Sequence, residues 1–387
     1  MRKRLVFGQF GATTRRNAAL MLGSIACTLG AALSGNAQDR KPTIITFDAP
    51  DAGTVSSPAC APDCGTLAYA VNDSGVIVGW YTDTNIVPHG FLRTPDGQIT
   101  SFDAPGAGLG HGLDQGTVAT SINDRGEIAG QFEDSSYTFH GFVRYRDGAF
   151  TTFDAPGAGT GAGQGTLGES INPAGEIVGV YIDSNNASHG FLRHRDGAIT
   201  DFDDPDAGTG PNQGTVTGEK SINPNGEIDG WYIDQDNVTH GFVRAADGTF
   251  TTIDPPDAQV TIAGGINPTG VITGYYADAS NVYHGFLRGR DGTFTTFEAP
   301  GAVVGTAAFS LNPEQAITGI YIDGSSVLHG FLRHPGGAFT TFDASGAGNL
   351  AGEGTRPEFI NAAGMITGSY FDESGVSHGF LRSPDRR

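Results

Sequence analysis

Between residues 166 and 202, apolar and polar side chains alternate in four short bursts, each ended by turn chemistry. The first burst, "TLGESI" (166–171), runs into Asn172-Pro173-Ala174-Gly175, with Asn first, Pro second and Gly fourth, as a tight turn prefers. The second, "EIVGVYI" (176–182), is followed by a five-residue link from Ser184 to Ser188. The third, "HGFLRH" (189–194), ends at Asp196-Gly197, a strong hairpin signal. The fourth, "AITDF" (198–202), is closed by Pro205, as suits an outer strand. The period of two predicts four antiparallel strands. No stretch beyond the N-terminal segment shows a helical period.

The pattern recurs seven times, with His-Gly-Phe at His89, His140, His189, His240, His284, His329 and His378. Seventeen residues upstream stands an Asn in every copy: Asn72, Asn123, Asn172, Asn223, Asn267, Asn312 and Asn361. Six residues upstream stands an Asp: Asp83, Asp134, Asp183, Asp234, Asp278, Asp323 and Asp372. Spacing this rigid suits paired strands, because a one-residue slip turns every side chain to the wrong face. Four strands per 44–51 residues predict an all-β, seven-bladed β-propeller of four-stranded antiparallel blades. The last copy stops at its Asp-Gly turn and lacks a fourth strand, whereas an orphan fourth strand, "TIITFDAP" (43–50), precedes the first. The expectation is a ring closed by that N-terminal strand completing the last blade, which would leave no bare sheet edge.

These units resemble the HAF-type extracellular repeats, with His-Gly-Phe in place of His-Ala-Phe, over roughly residues 43–387. The resemblance implies a repeat fold outside the cytoplasm and brings no assigned activity.

The N-terminus changes the picture of where the chain works. Arg2-Lys3-Arg4 and Arg15-Arg16 precede an Ala- and Leu-rich stretch and the small residues "SGNAQ". Residues 1–37 therefore read as an export signal peptide and 38–387 as the propeller. A secreted, periplasmic or cell-surface bacterial protein is expected; the general and twin-arginine routes both stay open. The mature chain holds 17 basic and 42 acidic residues. Without a basic tract it is no nucleic-acid binder, and no later apolar run is long enough to span a membrane. A monomer is expected.

Candidate chemistry is sparse. The repeated pairs Asp83/His89, Asp134/His140, Asp183/His189, Asp234/His240, Asp278/His284, Asp323/His329 and Asp372/His378 read as structural, since a structural device is needed in every blade and an enzyme needs one differentiated site. An Asp–His hydrogen bond across each link is expected to pin the hairpin. No catalytic residue, metal ligand or cofactor is assigned; "DQDNVTHG" (234–241) echoes a calcium loop only weakly. Cys60 and Cys64 suit a local disulfide. The Asp-x5-His links and the Gly-rich links between blades should share one acidic face, with His111, Tyr137, Tyr283, Asp103, Asp154 and Asp203 as its candidate binding residues. The functional expectation is a non-enzymatic scaffold binding a protein or glycan there; the alternative is a propeller lyase or hydrolase with a site at the central opening. Unlike polar groups at the axis would favour that alternative.

Overall fold

The computed structural model describes residues 42–55, 64–110 and 115–385. The expected signal peptide, Cys60 and His111 lie outside the described residues. No described residue is helical, and no helix is long and apolar enough to cross a membrane. The chain opens with β1 (Ile44–Phe47), then β2 (Thr66–Val71), β3 (Ile77–Thr82), β4 (Pro88–Arg93) and β5 (Ile99–Phe102). β2, β3, β4 and β5 pair antiparallel in that order. The third repeat shows the same series in Gly165–Ile171, Ile177–Ile182, Ser188–Arg193 and Ile199–Phe202. Each strand falls within a residue or so of its expected place.

The orphan strand pairs where the sequence placed it. β1 lies antiparallel on the final strand, Ser377–Arg382, with Ile44 opposite Arg382 and Phe47 opposite Gly379. Thr43 and Ser383 extend the contact, the Ser383 amide donating to the Thr43 carbonyl at 2.9 Å. The hydrogen-bonded ladder nevertheless does not run unbroken round the molecule, because β2–β5 form a sheet of their own. Toward the final strand, Gly65 and Ser377 form only an isolated bridge; toward the second repeat, proline chemistry accounts for the break. In other repeats the residue before His donates its amide to the next repeat, as Ser188 does to the Gln213 carbonyl at 2.8 Å and Leu328 to Glu353 at 2.8 Å. At that position β4 has Pro88, which carries no N–H.

First strands are innermost. β2 is buried at every position and packs against the first strands of the repeats on either side, Gly116–Ile122 and Gly354–Ile360. Fourth strands are outermost and partly exposed. Between neighbouring repeats, the wholly buried His-Gly-Phe rings meet the preceding fourth-strand rings edge to face: Phe91 on Phe47 at 6.1 Å, Phe191 on Phe153 at 5.9 Å, Phe380 on Phe342 at 6.2 Å. An Arg covers six of the seven junctions, with Arg93 4.8 Å from the centre of Phe47 and Arg382 5.0 Å from that of Phe342; at the seventh the preceding fourth-strand residue is Ile253.

Two glycines show why the motif is spelled as it is. A Cβ on Gly190 would come within 2.3 Å of the Phe202 ring, so the Gly of the triplet is the seat for the fourth-strand aromatic. A Cβ on Gly179 would come 2.0 Å from the Leu167 carbonyl oxygen of the same repeat. The mid-strand Gly therefore accommodates its own first strand. The cause is a bulge there, marked by the register shift between Gly168 and Ser170.

Candidate functional site

Two constellations contain the chemistry: one repeated in every unit, the other present once. The repeated one is the histidine. Its expected partner, the Asp six residues upstream, is mostly engaged elsewhere. Asp183 Oδ1 accepts the amides of Asn185 and Ala187 at 2.8 Å each, closing its own turn. Its Oδ2 stands 3.7 Å from His189 Nε2, longer than a hydrogen bond. The corresponding distances at His89, His140, His240 and His329 are 3.6–3.8 Å. At His284 and His378 the contact shortens to 3.3 and 3.4 Å. The short bond goes instead to the acid after strand four. His189 Nδ1 meets Asp203 at 2.8 Å, His89 meets Asp103 at 2.8 Å and His140 meets Asp154 at 2.9 Å. The same arrangement joins His240 to Asp254, His284 to Glu298 and His329 to Asp343; His378 reaches across the chain ends to Asp48.

Each imidazole also stacks on a strand-two ring, as His189 does on Tyr181 at 4.8 Å. Lying between two carboxylates, His89, His189, His284 and His378 hold their protons more tightly than usual. At His89, His189 and His378 the hydrogen bond to the strand-four Asp is the main cause, opposed by burial. The link acids Asp83, Asp134, Asp183, Asp234, Asp278, Asp323 and Asp372 are held below the ordinary aspartate range, chiefly by backbone amides working against burial.

The other sequence candidates scatter. Tyr137 sits 37% exposed on a link, in left-handed backbone at φ 64°. Tyr283 begins a third strand and packs edge-on against Tyr275 at 5.8 Å. Asp103, Asp154 and Asp203 are the histidine partners just described. Cys64 is disulfide-bonded. Among the described residues no three His, Cys, Asp or Glu side chains gather closely enough to hold a metal ion, the 234–241 link included.

The second constellation lies among the first strands. In six repeats a bulge sets one residue out of register, three before the turn Asn: Tyr69, Thr120, Glu169, Gly264, Phe309 and Glu358. The fourth repeat departs further. Ten residues run from Gly214 to Asn223, where the third has eight, from Gly165 to Asn172. Its ladder stops at Val216 and resumes only at an isolated Ile222–Ile228 bridge. The extra chain places Gly218, Glu219 and Lys220 against Ala263, Gly264, Phe309, Arg356 and Glu358, with Trp231 and Tyr275 behind them. They line a small open cleft of about 30 Å³.

This cleft is densely charged. Arg356 Nε donates to Glu358 Oε1 at 2.7 Å, and Lys220 Nζ lies 3.8 Å from both Glu219 Oε2 and Glu358 Oε2. Burial raises the pKa of Glu219, with Lys220 opposing and Glu358 adding to the rise. Burial, then repulsion from Glu219, pushes Glu169 well above the usual carboxylate range. Burial also raises Tyr275. Beside the insertion, Asp229 is fully buried at a position held by Val78, Ala129, Val178, Thr273, Thr318 and Thr367 in the other repeats. Neither of its oxygens has a well-formed hydrogen bond, and burial drives its pKa up to about 8 despite the Gly265 amide and the Ser221 hydroxyl nearby. Sequence reading missed this cluster, although the two extra residues before Asn223 were there to be counted.

No family model and no curated protein matches the chain. Solved structures do resemble it. A streptogramin B lyase aligns over 88% of this chain and 97% of its own, at TM-score 0.52 and 13% identity. The virginiamycin B lyase from Staphylococcus aureus aligns over 88% and 99%, at TM-score 0.53 and 12% identity. The BP39L lectin from Burkholderia pseudomallei aligns over 82% and 97%, at TM-score 0.51 and 8% identity. At such identities the likeness shows the fold alone, which is that of a β-propeller.

Proposed function

We propose that this chain is an exported, HAF-type β-propeller of seven four-stranded blades whose ligand site is the cleft among its first strands. The strand pairings and the docking of β1 on the final strand support the blade count and the closure. The charge pattern of residues 1–37 supports export to the periplasm or beyond. The observation carrying the functional reading is the gathering of unlike groups, Glu219, Lys220, Arg356 and Glu358, in a molecule otherwise built by repetition. The link face that the sequence favoured supports a binding role less well: its histidines and acids repeat in all blades and satisfy one another.

The test is a ligand screen by thermal shift, followed by titration of wild type, Trp231→Ala and His189→Ala. Binding should be lost in Trp231→Ala and kept in His189→Ala; the reverse pattern would move the site to the link face. A second reading, a lyase or hydrolase acting in the same cleft, draws on one observation. Glu219 holds its proton at unusually high pH while lying 3.8 Å from Lys220, which is how an acid–base pair is poised. Turnover of a bound compound, lost in Glu219→Gln, would establish it; unaltered recovery of every bound compound would exclude it.

A further inference from the structure

The insertion before Asn223 is lightly held. The ladder between the first two strands of the fourth repeat covers Gly214 to Val216 and returns only at the Ile222–Ile228 bridge, which leaves residues 217–221 outside it. The Gly218 amide donates to Ser221 Oγ at 2.6 Å, and the Asp229 amide to the Ser221 carbonyl at 3.0 Å. The bond to the fifth repeat, from the Ile266 amide to the Lys220 carbonyl, is long at 3.4 Å. Thr217 Oγ1 and both carboxylate oxygens of Asp229 are buried without a well-formed hydrogen bond. Each weakens the closed arrangement, because nothing inside replaces the water it gives up.

Asp229 faces the boundary with the fifth repeat. Its cross-strand partner Val243 packs there on Ala263, Ile266 and Ile272. Its strand neighbours Ile228 and Gly230 are uncharged. The fifth repeat offers it the Gly265 amide and the insertion the Ser221 hydroxyl. The charged groups of the insertion, Glu219 and Lys220, pair with each other, and Lys220 also with Glu358, in the cleft. A proton on Asp229 therefore keeps a full charge out of an apolar boundary. The acid and the broken ladder occur in the same repeat and in no other.

We propose that Asp229 is a proton-operated latch on the cleft: while its carboxyl keeps the proton, residues 217–221 stay against the fifth repeat, and when the proton leaves to water the segment lifts and takes Glu219 and Lys220 with it. The regulatory meaning rests on the reading that the cleft is the ligand site; the movement itself does not. Burial raises the Asp229 pKa to about 8, so the closed form is favoured in acid and the open form gains as pH climbs from about 4 toward 8.

Trp231 reports on the segment, since a Cβ on Gly218 would meet its ring at 3.6 Å. The experiment uses the full chain with Trp80→Phe, which leaves Trp231 as the single tryptophan. Acrylamide quenching of its fluorescence is followed from pH 5 to pH 9 without ligand, at fixed ionic strength, with circular dichroism recorded alongside. Quenching should rise several-fold across this range while the strand signal stays constant. Asp229→Asn and Asp229→Thr should both hold quenching at its low-pH value. The Thr variant covers poor folding of the Asn variant, since Thr273, Thr318 and Thr367 fill the same position in other repeats. Glu219→Gln should keep the rise; this variant is included because burial raises the Glu219 pKa too. A flat wild-type trace overturns the latch, as does an equal rise in both Asp229 variants, a rise abolished by Glu219→Gln, or a parallel loss of the strand signal. Should the rise appear while no screened compound binds, the latch stands and the cleft fails as a ligand site. Should a ligand bind in a Trp231-dependent manner while the trace stays flat, the cleft stands and the latch fails.

Discussion

The side-chain amide of Asn361 donates to the backbone carbonyl of Asn72, 2.9 Å away and 289 residues earlier in the chain. It is one link in a relay. Asn72 donates to the Asn123 carbonyl at 3.2 Å, Asn123 to Asn172 at 3.2 Å, Asn223 to Asn267 at 3.1 Å and Asn267 to Asn312 at 3.4 Å. Each of these Asn also accepts amides of its own turn, as Asn361 Oδ1 does from Met365 at 2.8 Å. The residue that starts the turn thus also ties its repeat to the next, and the last to the first.

Asn361→Ala should therefore lose both the turn bond and the link between chain ends, at about 2–3 kcal/mol. Asn172→Ala should cost less, because the Asn172 side-chain amide goes to Glu176 Oε2 at 2.9 Å within its own repeat. Urea unfolding of the two variants checks the order; equal losses would contradict it.

Stability should peak in mildly acidic solution. His89, His189, His284 and His378 have raised pKa values in the fold, so their contribution is complete below about pH 6.5 and fades as pH rises through the folded values. The link acids have lowered values, so theirs is complete above about pH 3.8 and fades as pH falls through the folded values. Thermal unfolding from pH 3 to 9 should show its maximum between those limits; a maximum above pH 7 would contradict the assignment.

His189→Ala removes the Asp203 bond and the Tyr181 stack, and should cost about 1–2 kcal/mol. Binding in the proposed cleft should be unaffected. A loss of binding without a loss of stability would mean that the link face has a role beyond holding its own hairpins.

Asp229→Thr should raise the melting temperature at pH 7, with a gain of about 1–3 kcal/mol. At the same position Thr273 donates to the Phe286 carbonyl and Thr318 to that of Phe331, each at 2.8 Å. An acid whose folded pKa is raised to about 8 weakens the fold increasingly as pH climbs from about 4 toward 8. The gain should therefore vanish near pH 4. Destabilisation at neutral pH would show that Asp229 is better satisfied than its surroundings suggest.

What was legible in the sequence follows from spacing. Strand positions could be read because paired strands tolerate no insertion, and the place of β1 followed from counting strands at the two ends. The expected link Asp bonds the histidine at His284 and His378, and the shorter bond to the strand-four acid went unread because the nearer Asp in sequence drew attention although its Oδ1 serves its own turn amides. The strand register contained the answer: Gly190 pairs with Phe202, which puts Asp203 opposite His189. The axial residues obey no repeat rule, since a bulge turns a side chain out of the alternation that pattern reading relies on. Only the two-residue insertion before Asn223 pointed there. Nothing in the alternation marks Pro88 as the interruption of the ladder; its missing N–H matters only once its neighbour across the repeat boundary is known.

The proposed ring depends on the first strand completing the last sheet. Thermal unfolding of the chain lacking residues 43–50 tests this most directly. The truncated chain should melt well below the intact one, because Ser377–Arg382 loses the strand that covers its outer edge and His378 loses Asp48. An unchanged melting temperature would contradict the closure.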